Sequence, residues 1–171
     1  MERLPTRRIG RAPTRTRMMG IPVLTVMVGS MTALLPIIAT LPILPPFGFM
    51  TLIAWRLLHR TLWPVWAAIP LGAFDDMLSG QPLGSAMILW TLAFFALDLF
   101  DRRMMWRDSW QDWALAGLLI AALLAGELII ANFVGGDSSL GILWPQYILS
   151  LLLFPLVSRL CAGLDRIRQS S

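Results

Sequence analysis

One stretch, residues Trp113–Val134, reads W-A-L-A-G-L-L-I-A-A-L-L-A-G-E-L-I-I-A-N-F-V and contains a single charged side chain, Glu127. A helix needs about 20 predominantly apolar residues to cross the hydrocarbon core of a bilayer, and this stretch reaches that length. The chain of 171 residues is 57% hydrophobic and only 14% charged, whereas soluble domains carry about 25% charged residues. The stretch and the composition together predict an integral membrane protein.

Five further apolar stretches extend this prediction to an all-α, polytopic bundle of six transmembrane helices. The predicted spans are Met19–Ile38, Phe47–Leu58, Leu62–Met77, Leu83–Phe100, Trp113–Val134 and Leu140–Leu160. The second span is the weakest of the six, because as a helix it would rise only about 18 Å. That length is shorter than the hydrocarbon core of about 30 Å.

The distribution of positive charge decides whether the second span crosses. All 14 basic side chains are arginines, and apolar sequence separates them into four clusters. The clusters are Arg3, Arg7, Arg8, Arg11, Arg15 and Arg17; Arg56 and Arg60; Arg102, Arg103 and Arg107; and Arg159, Arg166 and Arg168. Positively charged loops resist translocation and stay in the cytoplasm. Only six crossings place all four clusters on one side, so we predict six spans with both termini cytoplasmic.

The spans divide the chain into three parts. We predict a disordered, Arg-rich cytoplasmic tail over residues 1–17, a transmembrane domain over 18–163 and a short cytoplasmic tail over 164–171. The outward loops are short, so no extramembrane domain is expected. Because the arginines lie in short loops between apolar segments, we interpret them as topology signals and as partners of anionic lipid, not as a nucleic-acid site.

Several kinds of chemistry are excluded by the residues the chain lacks. Its single Cys161 and single His59 rule out an intramolecular disulfide, a cysteine metal cluster and a multi-histidine metal site. The chain has no nucleotide-binding glycine loop, no H-E-x-x-H and no G-x-S-x-G motif. We therefore predict no catalytic, cofactor or metal site and a protein that is not an enzyme.

Two adjacent carboxylates, Asp75 and Asp76, end the third span. Paired carboxylates can perform acid/base chemistry or hold a divalent cation. Neighbouring helical residues point about 100° apart, however, so the two side chains cannot aim at one spot. We expect Asp75 to face a water-exposed turn and Asp76 to be buried and hydrogen-bonded.

Glu127 lies inside the apolar fifth span, where a charged carboxylate costs roughly 2.5 kcal/mol or more. Adjacent Gly126 would allow a neighbouring helix to approach closely. A hairpin of spans five and six would place Glu127 opposite Gln146, with Tyr147 within a turn. We predict that Glu127 is at least partly protonated and hydrogen-bonds with Gln146 or Tyr147; a substrate or proton site is the alternative.

Asp98 and Asp101 at the end of the fourth span form a D-x-x-D pattern. Asp98 and Arg102 are spaced i, i+4 with the acid first, which is typical of a helix-end ion pair. We predict that pair. The competing interpretation is a lipid-modifying membrane enzyme with Asp98 and Asp101 as metal ligands.

Between the third and fourth spans, residues Gly72–Gly84 read G-A-F-D-D-M-L-S-G-Q-P-L-G. The glycines and the proline indicate a tight reversal between two helices. This segment resembles the signature G-x-x-x-D-x-x-x-G-x-P-L-G of the bacterial rod shape-determining protein MreD family. The matching residues are Gly72, Asp76, Gly80, Pro82, Leu83 and Gly84. The size, the number of spans and the short second span are also similar to that family, whereas the Arg-rich N-terminal tail is longer.

The resemblance implies a non-enzymatic protein of the bacterial inner membrane that belongs to the cell-wall elongation complex. Its implied partners are the periplasmic scaffold MreC, filaments of the actin-like MreB, and the glycosyltransferase and transpeptidase that build lateral peptidoglycan. The implied fold is similar to the six-helix S-components, the substrate-binding subunits of energy-coupling-factor transporters. The alternative function is such a subunit for a small solute or vitamin, which predicts a polar pocket built around Asp75, Asp76, Glu127 and Gln146.

Overall fold

A computed structural model of the chain describes residues 15–34, 44–60, 62–103, 108–135, 141 and 143–170. In these residues the backbone forms six α-helices and no strand, which confirms the predicted all-α class. The helices are α1 (Arg15–Met31), α2 (Phe47–Leu58), α3 (Ala68–Ser79), α4 (Ser85–Arg103), α5 (Ser109–Phe133) and α6 (Leu143–Ser170). Short 3-10 turns follow α1 (Thr32–Leu34) and precede α3 (Val65–Ala67).

Local sequence explains where several helices begin. Helix α2 starts directly after Pro45-Pro46, because proline lacks the N–H that a helix interior requires but is tolerated at its start. Asp108 and Gln111 start α5 with a reciprocal capping box, in which each side chain accepts a hydrogen bond from the other residue's backbone N–H. The bounds of α2 agree with the predicted second span.

Other predicted bounds need correction. Helix α6 continues to Ser170, beyond the predicted sixth span, so residues 164–170 of the predicted C-terminal tail are helical. The prediction followed the apolar residues, which mark where a helix could contact lipid. The backbone hydrogen bonds of α6 continue beyond them into polar sequence. Helix α1 already begins at Arg15, and the rest of the predicted N-terminal tail lies outside the described residues.

Successive helices run in opposite directions, which gives the bundle two chemically different ends. At one end, which we call the cavity end, α1 finishes next to the start of α2, since Ser30 lies against Gly48. Gln146 at the start of α6 reaches the same end by donating a hydrogen bond of 2.9 Å to the Leu44 carbonyl. At the opposite end, which we call the charged end, the last turns of α2, α4 and α6 meet through ion pairs.

Helix α2 occupies the centre of the bundle and packs on α1, α5 and α6. Every side chain from Phe49 to Arg56 except that of Thr51 is at most 4% exposed. The indole of Trp55 donates a hydrogen bond of 2.8 Å to the Thr25 hydroxyl of α1. Helix α2 is short, and the other helices enclose it.

Large apolar side chains remain exposed on the outer faces of the bundle. On α4 they form one stripe, Ile88, Leu92, Phe95 and Leu99, and on α6 another, Ile148, Leu152, Leu156 and Leu160. Two helices, α5 and α6, are long and apolar enough to span a membrane. Exposed apolar stripes around an interior with buried Arg56 and Asp76 are the reverse of a water-soluble surface.

The pairing of α5 with α6 differs from the predicted register by roughly a turn or more. Gly117 lies against Leu151, whereas the predicted hairpin would place it opposite Leu156. The indole of Trp113 likewise donates to the Leu151 carbonyl at 3.1 Å. Helices α5 and α6 therefore pair in another register than the predicted hairpin, and Glu127 is not level with Gln146.

Candidate functional site

The turn between α3 and α4 is organised by the buried carboxylate of Asp76, which is 2% exposed. It accepts hydrogen bonds from the backbone N–H of Gly84 and of Ala86, both at 2.8 Å, and from the Ser85 hydroxyl at 2.9 Å. These donors lie at the first turn of α4, where backbone N–H groups have no partner within the helix. A carboxylate also suits the positive end of the helix dipole. The prediction of a buried, hydrogen-bonding Asp76 is confirmed.

The glycines of the segment Gly72–Gly84 have two separate roles. A Cβ on Gly72 would lie 2.8 Å from backbone atoms of Met87, so only glycine lets α3 approach α4 this closely. Gly80 ends α3 with a φ of 67°, and Gly84 precedes α4 with a φ of 102°. Both values belong to the left-handed region that favours glycine. Pro82 and Leu83 between them are exposed.

A polar cavity of about 270 Å³ opens beside this turn at the cavity end. Seven polar side chains line it: Ser30, Thr32, Asp75, Ser79, Gln81, Glu127 and Gln146. The remaining described lining comes from the end of α1, from Leu44–Pro46 and from the start of α2. The cavity brings together residues from α1, α3, α5 and α6 that are far apart in the sequence.

The carboxylates in this cavity differ from their predicted settings. Asp75 lines the cavity beside the buried Ser30 and does not simply cap an exposed turn. Glu127 interacts with Gln81 of the α3–α4 turn, and no described hydrogen bond joins it to the predicted Gln146 or Tyr147, because the helices pair in another register. Gln146 lines the same cavity, whereas Tyr147 packs near Gly117. Gly126 does provide a close approach, since a Cβ there would meet Leu89 of α4.

A network of ion pairs joins α2, α4 and α6 at the charged end. The guanidinium of Arg56, 4% exposed, pairs with Asp98 and lies 3.1 Å from Asp101. The Arg60 side chain approaches Asp101 at 3.6 Å. The predicted i, i+4 partner of Asp98, Arg102, is exposed instead. The packing of the helices places Arg56 of α2 beside α4. Both aspartates of the D-x-x-D pattern are therefore paired with arginine.

The second half of this network contains residues that the sequence analysis did not assign to a site. His59 lies 2.9 Å from Asp165, and Asp165 pairs with Arg168 at 2.6 Å. The Arg168 guanidinium also lies 5.6 Å from the ring centroid of Trp55. An arginine inside an apolar span was the one available signal, because Arg56 must find a partner there. In the described part of the chain no group of three or more His, Cys, Asp or Glu is placed to hold a metal ion.

The cavity and the α3–α4 turn can therefore bind and position groups through carboxylates, hydroxyls and amides. Comparison of the chain with protein-family models, with curated proteins and with solved structures gives no match.

Proposed function

We propose that the chain is a six-span protein of the bacterial inner membrane with both termini in the cytoplasm. The alternating directions of the helices support this topology, because they put the Arg56, Arg60 and Arg168 side chains at one end of the bundle. The charged end would face the cytoplasm, in agreement with the retention of positive loops on that side. The exposed apolar stripes of α4 and α6 would face lipid.

Within that membrane, we propose a non-enzymatic role of the MreD type in the cell-wall elongation complex. One observation carries the proposal: in the segment that resembles the family signature, Gly72, Asp76, Gly80 and Gly84 each have a defined task in one turn. Such a rigid turn would present Leu83, which is 79% exposed. An exposed apolar side chain on an ordered turn suits recognition of another protein.

The two ends would then serve different partners. The turn at the cavity end would bind an MreC-type scaffold from the periplasmic side. The charged end would meet MreB-type filaments and the cytoplasmic parts of the elongation glycosyltransferase and transpeptidase. Exposed arginines there, including Arg102, Arg103 and Arg166, would also hold anionic lipid headgroups.

Depletion of the protein in its own host tests this role. Cells should lose their rod shape and round up, and the affinity-tagged protein should recover an MreC-type partner. Replacement by Leu83→Asp should abolish that recovery, whereas Val134→Asp, an equally exposed position on another turn at the same end, should preserve it. Normal rods combined with a defect in solute uptake would reject the role.

A second candidate is the substrate-binding membrane subunit of a small-solute or vitamin transporter. The polar cavity favours it, because three of the four residues on which that function depends, Asp75, Glu127 and Gln146, line one space. The fourth, Asp76, instead accepts hydrogen bonds from backbone N–H groups at the first turn of α4. A solute that copurifies with the protein and stabilises it against heat would promote this candidate.

A further inference from the structure

We propose that the polar cavity beside the α3–α4 turn binds a protonated primary amine. The inference goes beyond the rod-complex role and does not rest on it, since a scaffold protein and a transporter subunit could both carry such a site. It is argued from the charge of the cavity, from hydroxyls that accept no hydrogen bond from the described residues, and from its size.

Two carboxylates face the cavity without a positive partner. Asp75 and Glu127 line it and lie close enough to repel each other electrostatically. The lining formed by described residues contains no arginine, lysine or histidine. The described ion pairs of Arg56, Arg60 and Arg168 are at the charged end instead. A bound cation would supply the positive charge that this pair of carboxylates lacks.

Two hydroxyls in the cavity accept no hydrogen bond from the described residues. The Ser30 residue is only 2% exposed, and its hydroxyl lies beside Asp75, to which the O–H can donate, but no donor of the described residues reaches its Oγ lone pairs. The Oγ of Ser79 also lacks a described partner, in a residue that is half-buried. Buried polar atoms without a partner are uncommon and need an explanation. Both hydroxyls line the cavity, so a ligand with N–H donors would satisfy them.

Gly48 lets helix α2 pack directly against the acidic wall of the cavity. A Cβ at this position would lie 3.0 Å from Asp75 Oδ1 and would clash with the Ser30 hydroxyl. Any larger residue would therefore displace these two groups from the cavity wall.

The size and the acceptor set select the class of cation. A volume of about 270 Å³ lies just below the usual range for drug-sized ligands, about 300–1,000 Å³, so the ligand is small. Ca²⁺ takes about six to eight oxygen ligands and Mg²⁺ demands a near-ideal octahedral set, whereas the described residues contain no group of three or more His, Cys, Asp or Glu placed to hold a metal ion. A primary ammonium has three N–H donors, which matches two carboxylates and a hydroxyl.

The same ammonium group could arrive on a free amine or on the headgroup of phosphatidylethanolamine. Purified full-length protein should be placed in nanodiscs of phosphatidylcholine and phosphatidylglycerol and titrated with ethanolamine by calorimetry. We expect saturable binding. Choline, which has no N–H donor, and ethylene glycol, which has no charge, should bind at least about tenfold more weakly, because charge-assisted hydrogen bonds would be lost. Exchange of the phosphatidylcholine for phosphatidylethanolamine should block binding if the lipid headgroup is the natural occupant, and should leave it unchanged if a free amine is.

Variants connect binding to the cavity. Glu127→Gln should weaken ethanolamine binding by about tenfold or more, and Asp75→Asn with Glu127→Gln should abolish it. Asp108→Asn is the matched control: it also removes one carboxylate, but it is exposed at the start of α5, and asparagine caps helices as well as aspartate. Circular dichroism checks that each variant keeps its helix content.

Three results would overturn the inference. The first is equal heat from ethanolamine and ethylene glycol, and the second is unchanged ethanolamine affinity in a folded double variant. Binding only of a lysine- or arginine-containing peptide, with no response to the free amine, would also reject it and would assign the cavity to a protein partner.

Discussion

At the scale of single residues, Asp76 joins two helices by accepting hydrogen bonds that the backbone of α4 cannot satisfy alone. Its neighbour Asp75 has the same chemistry but lines the polar cavity. The difference follows from the helical turn of about 100° between them, which points one side chain at α4 and the other at α1 and α2. Two adjacent, identical residues therefore have separate functions.

This contrast predicts unequal effects of the same substitution. Asp76→Asn should lower the free energy of unfolding by about 2 kcal/mol, because an amide has one acceptor oxygen and brings an NH₂ group that finds no acceptor among these donors. Asp75→Asn should change it by less than about 1 kcal/mol, because Asp75 accepts none of the backbone hydrogen bonds at the start of α4. Denaturant unfolding in detergent micelles, followed by circular dichroism, measures both. Equal losses would contradict the assignment of the cap to Asp76.

At the scale of helices, the close approach of α3 and α4 depends on a missing side chain at Gly72. Its Cβ position lies within 3 Å of the backbone of Met87 and Ala86, and backbone atoms cannot move aside as a flexible side chain can. Gly163 on α6 has nothing within 4 Å of its Cβ position. The two glycines are thus a matched pair of a packed and an open site.

Gly72→Ala should therefore destabilise the protein by about 1–3 kcal/mol through overpacking. Gly163→Ala should be neutral or stabilise it by up to about 1 kcal/mol, because alanine favours the helix. The same unfolding measurement compares the two variants. Tolerance of alanine at Gly72 would mean that α3 and α4 are farther apart than described.

Some features of the helices could be predicted from the sequence and others could not. Pro45-Pro46 fixes the start of α2, and Gly80 with Pro82-Leu83-Gly84 fixes the turn after α3, since these residues restrict the backbone locally. The full length of α6 was not predicted. Hydropathy identifies only its apolar segment, which ends at Leu160, whereas the helix continues through polar residues. The register of α5 on α6 could not be predicted from the sequence either, because it depends on packing at Gly117 and Leu151.

In the candidate site, too, features set by local sequence could be predicted, whereas contacts between distant parts of the chain could not. Asp76 was identifiable because it occupies the aspartate position of the family signature that residues Gly72–Gly84 resemble. The partners of Glu127 and Asp98 were not, because Gln81 comes from the α3–α4 turn and Arg56 from α2, both distant in the sequence. Nothing in the local sequence signals that Ser30 would line a cavity with Asp75.

At the scale of the whole molecule, the charged end joins α2 to α4 through the buried guanidinium of Arg56, and α2 to α6 through the contact of His59 with Asp165. Arg56→Met should lower the free energy of unfolding by about 3 kcal/mol, because it leaves Asp98 without its partner. Addition of Asp98→Asn should recover part of that loss. Arg102→Met, which removes an exposed arginine from the same end, should change the free energy by less than about 0.5 kcal/mol. Loss of stability in Arg102→Met equal to that in Arg56→Met would contradict the network.

The same end carries the central claim, that the arginine-bearing turns share one compartment. Single cysteines at Arg60, Arg102 and Leu83, each in a Cys161→Ser background, can be labelled with a membrane-impermeant maleimide. Intact spheroplasts should expose only the Leu83 position, and inside-out vesicles should expose only the Arg60 and Arg102 positions. Labelling of the Arg60 and Arg102 positions from opposite sides would contradict the six-span topology and the proposed role with it.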